Sequence, residues 1–122
     1  MRRLSESSSR ARYAPFDVVV LPYPYADRFA EKRRPAVIIS SSKLAPYGLV
    51  WVSMITSAEN ERWPSDVPIP DLDRAGLPAP SVIRPAKVAC IESARVDRRL
   101  GSIDKPTARA LLQRLRAFLG GP

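Results

Sequence analysis

Histidine is absent from this 122-residue sequence, and cysteine occurs once, at Cys90. The first absence removes the commonest general base, proton shuttle and metal ligand together. With a single thiol beside it, a zinc site is nearly excluded, and neither a metal nor a cofactor is expected. One cysteine cannot close an intramolecular bridge, which fits a reducing cytoplasm, and Cys90 reads as a small buried apolar residue. No apolar run approaches the length needed to span a bilayer, so no membrane association is expected. Acidic residues are also in short supply, 12 Asp and Glu against 20 Lys and Arg, which leaves a net charge of +8. That surplus favours phosphate-rich polymers or an acidic protein partner and says nothing about fold. The hydrophobic fraction of 45% is ordinary. A chain of this length makes one domain and can bury roughly two-thirds of its unfolded surface without disulfides.

Residues 1–14 are rich in Arg and Ser and lack the apolar core of a signal peptide. They read as a disordered basic tail ahead of a domain at 15–120. Runs of β-branched and apolar residues predict strands over 16–21, 35–40 and 49–56, the last so apolar that it belongs in the centre of a sheet. Pro68 and Pro70 restrict 66–70 to an edge strand. Two further short strands, 81–84 and 87–91, flank Pro85. The segments 41–48, 57–65 and 71–80 read as connections, and 94–103 leads into the one clear helix. Asp104 is its expected N-cap. Ala108, Leu111, Leu112, Leu115, Phe118 and Leu119 fall on one helical face, Arg109, Gln113, Arg114 and Arg116 on the other, and Gly120 is the expected stop. Many short strands with proline-rich turns and one terminal helix imply a small, strongly curved antiparallel barrel.

The most informative stretch is Lys32-Arg33-Arg34-Pro35, a basic cluster that runs into an apolar strand. Proline lacks a ladder donor and suits the first residue of a strand, and it pushes the residue before it toward extended backbone. Arg34 is thereby fixed at a strand mouth, and a rigidly held guanidinium fork suits phosphate. The plainer alternative is a solvated charge run.

Four pieces of sequence together resemble the MazF/PemK toxins of bacterial toxin–antitoxin systems. They are the opening run Asp17-Val18-Val19-Val20-Leu21-Pro22-Tyr23-Pro24-Tyr25, then Arg33-Arg34-Pro35-Ala36-Val37-Ile38, then Ile55-Thr56-Ser57. The fourth runs from Asp66-Val67-Pro68 through Ala75-Gly76-Leu77-Pro78 and Ser81-Val82-Ile83-Arg84 to Arg98-Arg99-Leu100-Gly101. The resemblance covers about residues 16–119. It implies a mainly β fold with one α element, an SH3-like antiparallel barrel plus a C-terminal helix, usually a homodimer. It also implies a cytoplasmic, metal-independent endoribonuclease that cuts single-stranded RNA and is held in check by a cognate acidic antitoxin. Arg34 matches the family's catalytic arginine and Thr56 its catalytic threonine. Arg84 matches a second arginine found in part of the family, and Ser57 is a weaker candidate beside Thr56. Some relatives carry an aspartate base two residues after that second arginine, where this chain has Ala86. Asp27 and Glu31, in the loop before Arg34, are the nearest substitutes, with the alternative that they only balance basic neighbours.

RNA can be cut without a metal by using its own 2′-hydroxyl as nucleophile, the group that distinguishes it from DNA. The enzyme must then take that proton, stabilise charge on phosphorus and protonate the leaving oxygen. Lys32, Arg33 and Lys87 are the expected backbone-binding cations. Tyr25 and Trp63 could stack unpaired bases, though packing is the better reading for Tyr23 and Tyr25, and the two readings are even for Trp63. Two alternatives share the expected fold. One is a gyrase poison like the CcdB toxins, which rely on a Trp-Gly-Ile tail where this chain reads Leu119-Gly120-Gly121-Pro122. The other is a non-catalytic RNA-binding module.

Overall fold

The computed structural model describes residues 12–22 and 32–121. Its β-branched runs form the strands β1 (Asp17–Pro22), β2 (Arg33–Ile38) and β3 (Leu49–Ser57). Further on come β4 (Val67–Pro68), the one-turn helix α1 (Leu72–Ala75), β5 (Ser81–Glu92), β6 (Arg98–Ser102) and the helix α2 (Lys105–Phe118). The strands make one antiparallel sheet in the order β4-β5-β3-β2-β1-β6. It curls into a half-barrel, and β3 takes the central place its apolar content predicts.

Alternate residues along each strand serve opposite faces. Val18, Val37, Ile55 and Ile83 pack against Ala108 and Leu111 of α2. Val19, Leu21, Ala36, Ile38, Val52 and Met54 build a second cluster on the other face with Ile91 and Val96. The first three strands are nearly continuous apolar runs because both their faces are buried. α2 starts where Asp104 Oδ1 accepts from the Thr107 amide at 2.9 Å. It ends at Phe118, with Leu119 as its C-cap.

Several sequence expectations change. The two strands around Pro85 are one long strand, β5. Ser53 pairs with Val88 and Met54 with Arg84, so residues 85–87 bulge out of the ladder. Pro85 has no N–H for that ladder, and the Ser53 hydroxyl donates to the Arg84 carbonyl at 2.8 Å to close the gap. The lead-in to α2 contains β6, paired with β1. The connection at 41–48 is mostly a 3₁₀ turn, Ser42–Tyr47, and 71–80 contains α1. Cys90 is exposed and not a core residue, because the register of β5 turns it outward beside Trp51.

Candidate functional site

Two of the expected catalytic residues come from adjacent strands at one end of the sheet. Ala36 pairs with Met54, which also pairs with Arg84. Carrying that register on by two residues brings Arg34 of β2 level with Thr56 of β3. The even-numbered residues of both strands share a face with Leu21, which pairs with Arg34. Arg34 is half-buried, and its backbone is held extended between Pro35 and the ladder with β1. Thr56 is 8% exposed. Its Oγ1 accepts a hydrogen bond from Asn60 Nδ2 at 2.6 Å. Ser57 points the other way, is exposed, and uses its hydroxyl to accept from the Glu59 amide at 3.1 Å.

Arg84, the candidate second arginine, is paired within the protein. It is buried, and its Nε and Nη2 form a fork with the Asp66 carboxylate at 3.0 and 2.9 Å. Nη2 also donates to the Glu61 carbonyl at 2.7 Å. The guanidinium lies over the Trp63 ring, 4.1 Å from its centroid, so one face of that indole is already covered. The Trp63 amide donates to Asp66 as well, at 2.9 Å. Burial pushes the Asp66 carboxyl up, but the Arg84 hydrogen bonds, the Trp63 amide and the charges of Arg84 and Arg62 outweigh it, and its pKa falls below the ordinary carboxylate value. A carboxylate so held is a poor proton acceptor and a good anchor. Arg114 of α2 closes the arrangement from the other side, with Nη1 donating to the Ser65 and Asp66 carbonyls at 3.0 Å each. Arg84 and Arg114 thus clamp the β3–β4 loop that follows Thr56.

The remaining candidates are dispersed. The Lys87 ammonium lies 5.8 Å from the Trp63 ring centroid, within the bulge of β5. Arg33 is exposed and paired with Asp97 at 2.8 Å. Lys32 is exposed just before β2. Tyr23, Tyr25, Asp27 and Glu31 lie outside the described residues. Among the described residues no three His, Cys, Asp or Glu side chains are grouped to hold a metal ion, and no helix is long and apolar enough to cross a membrane. Sequence reasoning missed Asn60, Asp66 and Arg114 as parts of the site. Nothing in their local sequence marks them: Asp66 meets Arg84 and Arg114 only because β5 and α2 bring them in, and Asn60 reaches Thr56 only through the turn that follows β3.

The fold is shared with solved toxin structures. Mycobacterium tuberculosis toxin MazF-mt6 superposes with a TM-score of 0.66 at 22% identity, over 83% of this chain and 93% of its own. An endoribonuclease in complex with its cognate antitoxin, from a mycobacterial species, gives 0.71 at 15% identity over 90% and 97%. A MazE–MazF structure from Deinococcus radiodurans gives 0.68 at 19% identity over 88% and 95%. No curated protein matches the sequence. These likenesses carry the fold, and the sequence itself matches a family description over residues 14–119, nearly all of the sheet, the clamped loop and α2. The chain therefore belongs to the PemK-like, MazF-like toxins of type II toxin–antitoxin systems.

Proposed function

We propose that this toxin is a metal-independent endoribonuclease that cuts single-stranded RNA. The observation that carries the reading is Arg34 and Thr56 on one face at the same end of neighbouring strands. The 2′-oxygen attacks phosphorus as its proton passes to a carboxylate of the sequence before β2, Asp27 or Glu31. The bond from phosphorus to the 5′-oxygen breaks, and that oxygen takes up a proton from water. The products are a cyclic 2′,3′-phosphate and a 5′-hydroxyl. Arg34 stabilises the charge that builds on the phosphoryl oxygens, and the Thr56 hydroxyl donates to one of them. An always-charged guanidinium is a clamp and not a shuttle, so Arg34 is assigned electrostatics first. Arg84 is assigned to holding the loop. Lys32, Arg33 and Lys87 supply backbone contacts, and the half-buried Trp63 offers its exposed part to a base.

A long unstructured transcript incubated with the toxin in excess EDTA should be cut, with cyclic phosphate at the new 3′ ends. Arg34→Ala should lose on the order of a hundredfold in rate or more, as loss of one transition-state donor does. Wild-type cutting by Arg34→Ala, or activity that disappears in EDTA and returns with magnesium, would sink this mechanism.

We also propose a homodimer through the apolar face between α2 and the β3–β5 side of the sheet. A groove of about 640 Å³ runs there, lined by Ile39, Trp51, Val88, Leu115, Phe118 and Leu119 among others. Trp51 is 50% and Leu119 73% exposed, and apolar side chains grouped in this way need a cover. A second copy presenting the same face supplies one. Trp51→Glu should halve the mass seen by light scattering, and an unchanged mass would place the contact elsewhere.

A further inference from the structure

The hydroxyl of a threonine can rotate, and which way its hydrogen points decides whether it can serve a phosphate oxygen. Thr56 Oγ1 accepts from Asn60 Nδ2 at 2.6 Å, four residues further along the chain. With that lone pair occupied by an N–H, the hydroxyl hydrogen must turn away from Asn60. Asn60 is itself held on both sides. Its backbone N–H donates to the Ser57 carbonyl at 3.1 Å, closing the turn after β3, and the Ala58 backbone N–H ties the same turn to the Pro80 carbonyl at 3.0 Å. The next residue, Glu61, has its carbonyl bound by Arg84 Nη2 at 2.7 Å. The buried Asp66–Arg84 pair and the turn thus fix an exposed amide against a nearly buried hydroxyl.

We propose that Asn60 is the positioning residue that aims the Thr56 hydroxyl at the scissile phosphate, with the Asp66–Arg84 pair as its foundation. The inference rests on the reading of Thr56 as a catalytic group. Asn60 does not touch the reacting atoms and acts only through Thr56. The polarity of this contact is what matters: an amide donates to the hydroxyl, whereas a carboxylate in its place would accept the hydroxyl's hydrogen and withdraw it from the phosphate.

The test is cleavage of a long unstructured transcript by the full-length protein, with kcat and KM measured across pH for wild type, Asn60→Ala, Asn60→Asp, Thr56→Ala and the Asn60→Ala/Thr56→Ala double variant. Asn60→Ala should lower kcat about tenfold, the size of one lost hydrogen bond, and leave KM nearly unchanged. In the Thr56→Ala background the same change should have no effect, because its target is gone. Asn60→Asp should be worse than Asn60→Ala near neutral pH. It should regain ground on it toward pH ~4, where a protonated carboxyl can donate as the amide does. Matching thermal melts would confirm that the exposed turn tolerates each change. If Asn60→Ala costs the same with and without the Thr56 hydroxyl, or if the Asp and Ala variants keep a constant ratio across pH, the inference is overturned. If Thr56→Ala cuts as fast as wild type, the catalytic reading of Thr56 itself fails, and the inference with it.

Discussion

A buried guanidinium beside a buried carboxylate is worth much more to the fold intact than broken. Asp66 has no exposed side-chain surface and Arg84 has 9%, and they share two hydrogen bonds. Arg84→Met would leave Asp66 charged, buried and without its cation, a loss of about 3–5 kcal/mol. Urea unfolding should register it, and a change under ~1 kcal/mol would mean the loop is held by Arg114 and the Trp63 amide alone. The same pair gives the protein a pH dependence. The folded Asp66 pKa lies below its ordinary value of 3.8, so its contribution is full above that value and is lost as pH falls through the folded value. Asp104 shifts in the same direction, first through its side-chain and backbone hydrogen bonds to Thr107 at the start of α2. Asp66→Asn should therefore be less stable than wild type at neutral pH, and its stability should fall less steeply below pH ~4. Parallel pH profiles for the two proteins would contradict the shift.

At the scale of elements, legibility followed burial. β1, β2 and β3 announce themselves because strands buried on both faces need unbroken apolar sequence. α2 does so through its stripe and its Asp104 cap. β6 does not: Arg98-Arg99-Leu100-Gly101-Ser102 has one large apolar residue, as an edge strand paired on one side can. The unity of β5 was hidden by Pro85, whose missing donor is absorbed by a bulge that only the register with β3 reveals. The glycine of β6 records a tertiary fact. A Cβ on Gly101 would lie 2.1 Å from the Arg74 carbonyl oxygen of α1, with the Ala75 backbone also too close. Gly101→Ala must push α1 off the sheet edge, and overpacking of this kind costs about 1–3 kcal/mol. Gly76, at φ +73°, meets the Leu100 carbonyl from the other side of the same contact. Hydrogen exchange should locate the loosening of Gly101→Ala at α1 and β6, and protection lost uniformly over the sheet would argue against a local clash. The positions of Arg34 and Thr56 at one end of neighbouring strands were legible, because Pro35 fixes the place of Arg34. The candidate site was illegible in its support, because Asp66 and Arg114 acquire their roles from partners distant in sequence, and the four-residue reach from Asn60 back to Thr56 exists only once the turn after β3 has formed.

At the scale of the whole molecule, charge decides how partners arrive. A protein with net charge +8 attracts both RNA and an acidic segment, and the two would meet at the same end of the sheet. We expect the antitoxin of this system to lay such a segment over the mouth formed by β2 and β3, folding as it binds. Its on-rate should fall as salt rises, and RNA binding should weaken with salt through counterion release. Adding antitoxin should then displace a non-cleavable RNA. The two arginines at the mouth are not equivalent. Arg33 is exposed and bridged to Asp97, so its charge is already partly answered, and an exposed pair of this kind is worth little. Arg34 is half-buried in the ladder with β1, and its charge is presented by rigid backbone. Neutralising both should weaken both ligands, and Arg34 alone should account for most of the loss of RNA. If antitoxin instead binds the double variant with unchanged affinity while RNA binding collapses, the antitoxin holds another surface. Inhibition would then have to reach Arg34 and Thr56 through the fold, and the clamped loop at Asn60 would be the nearest element able to transmit it.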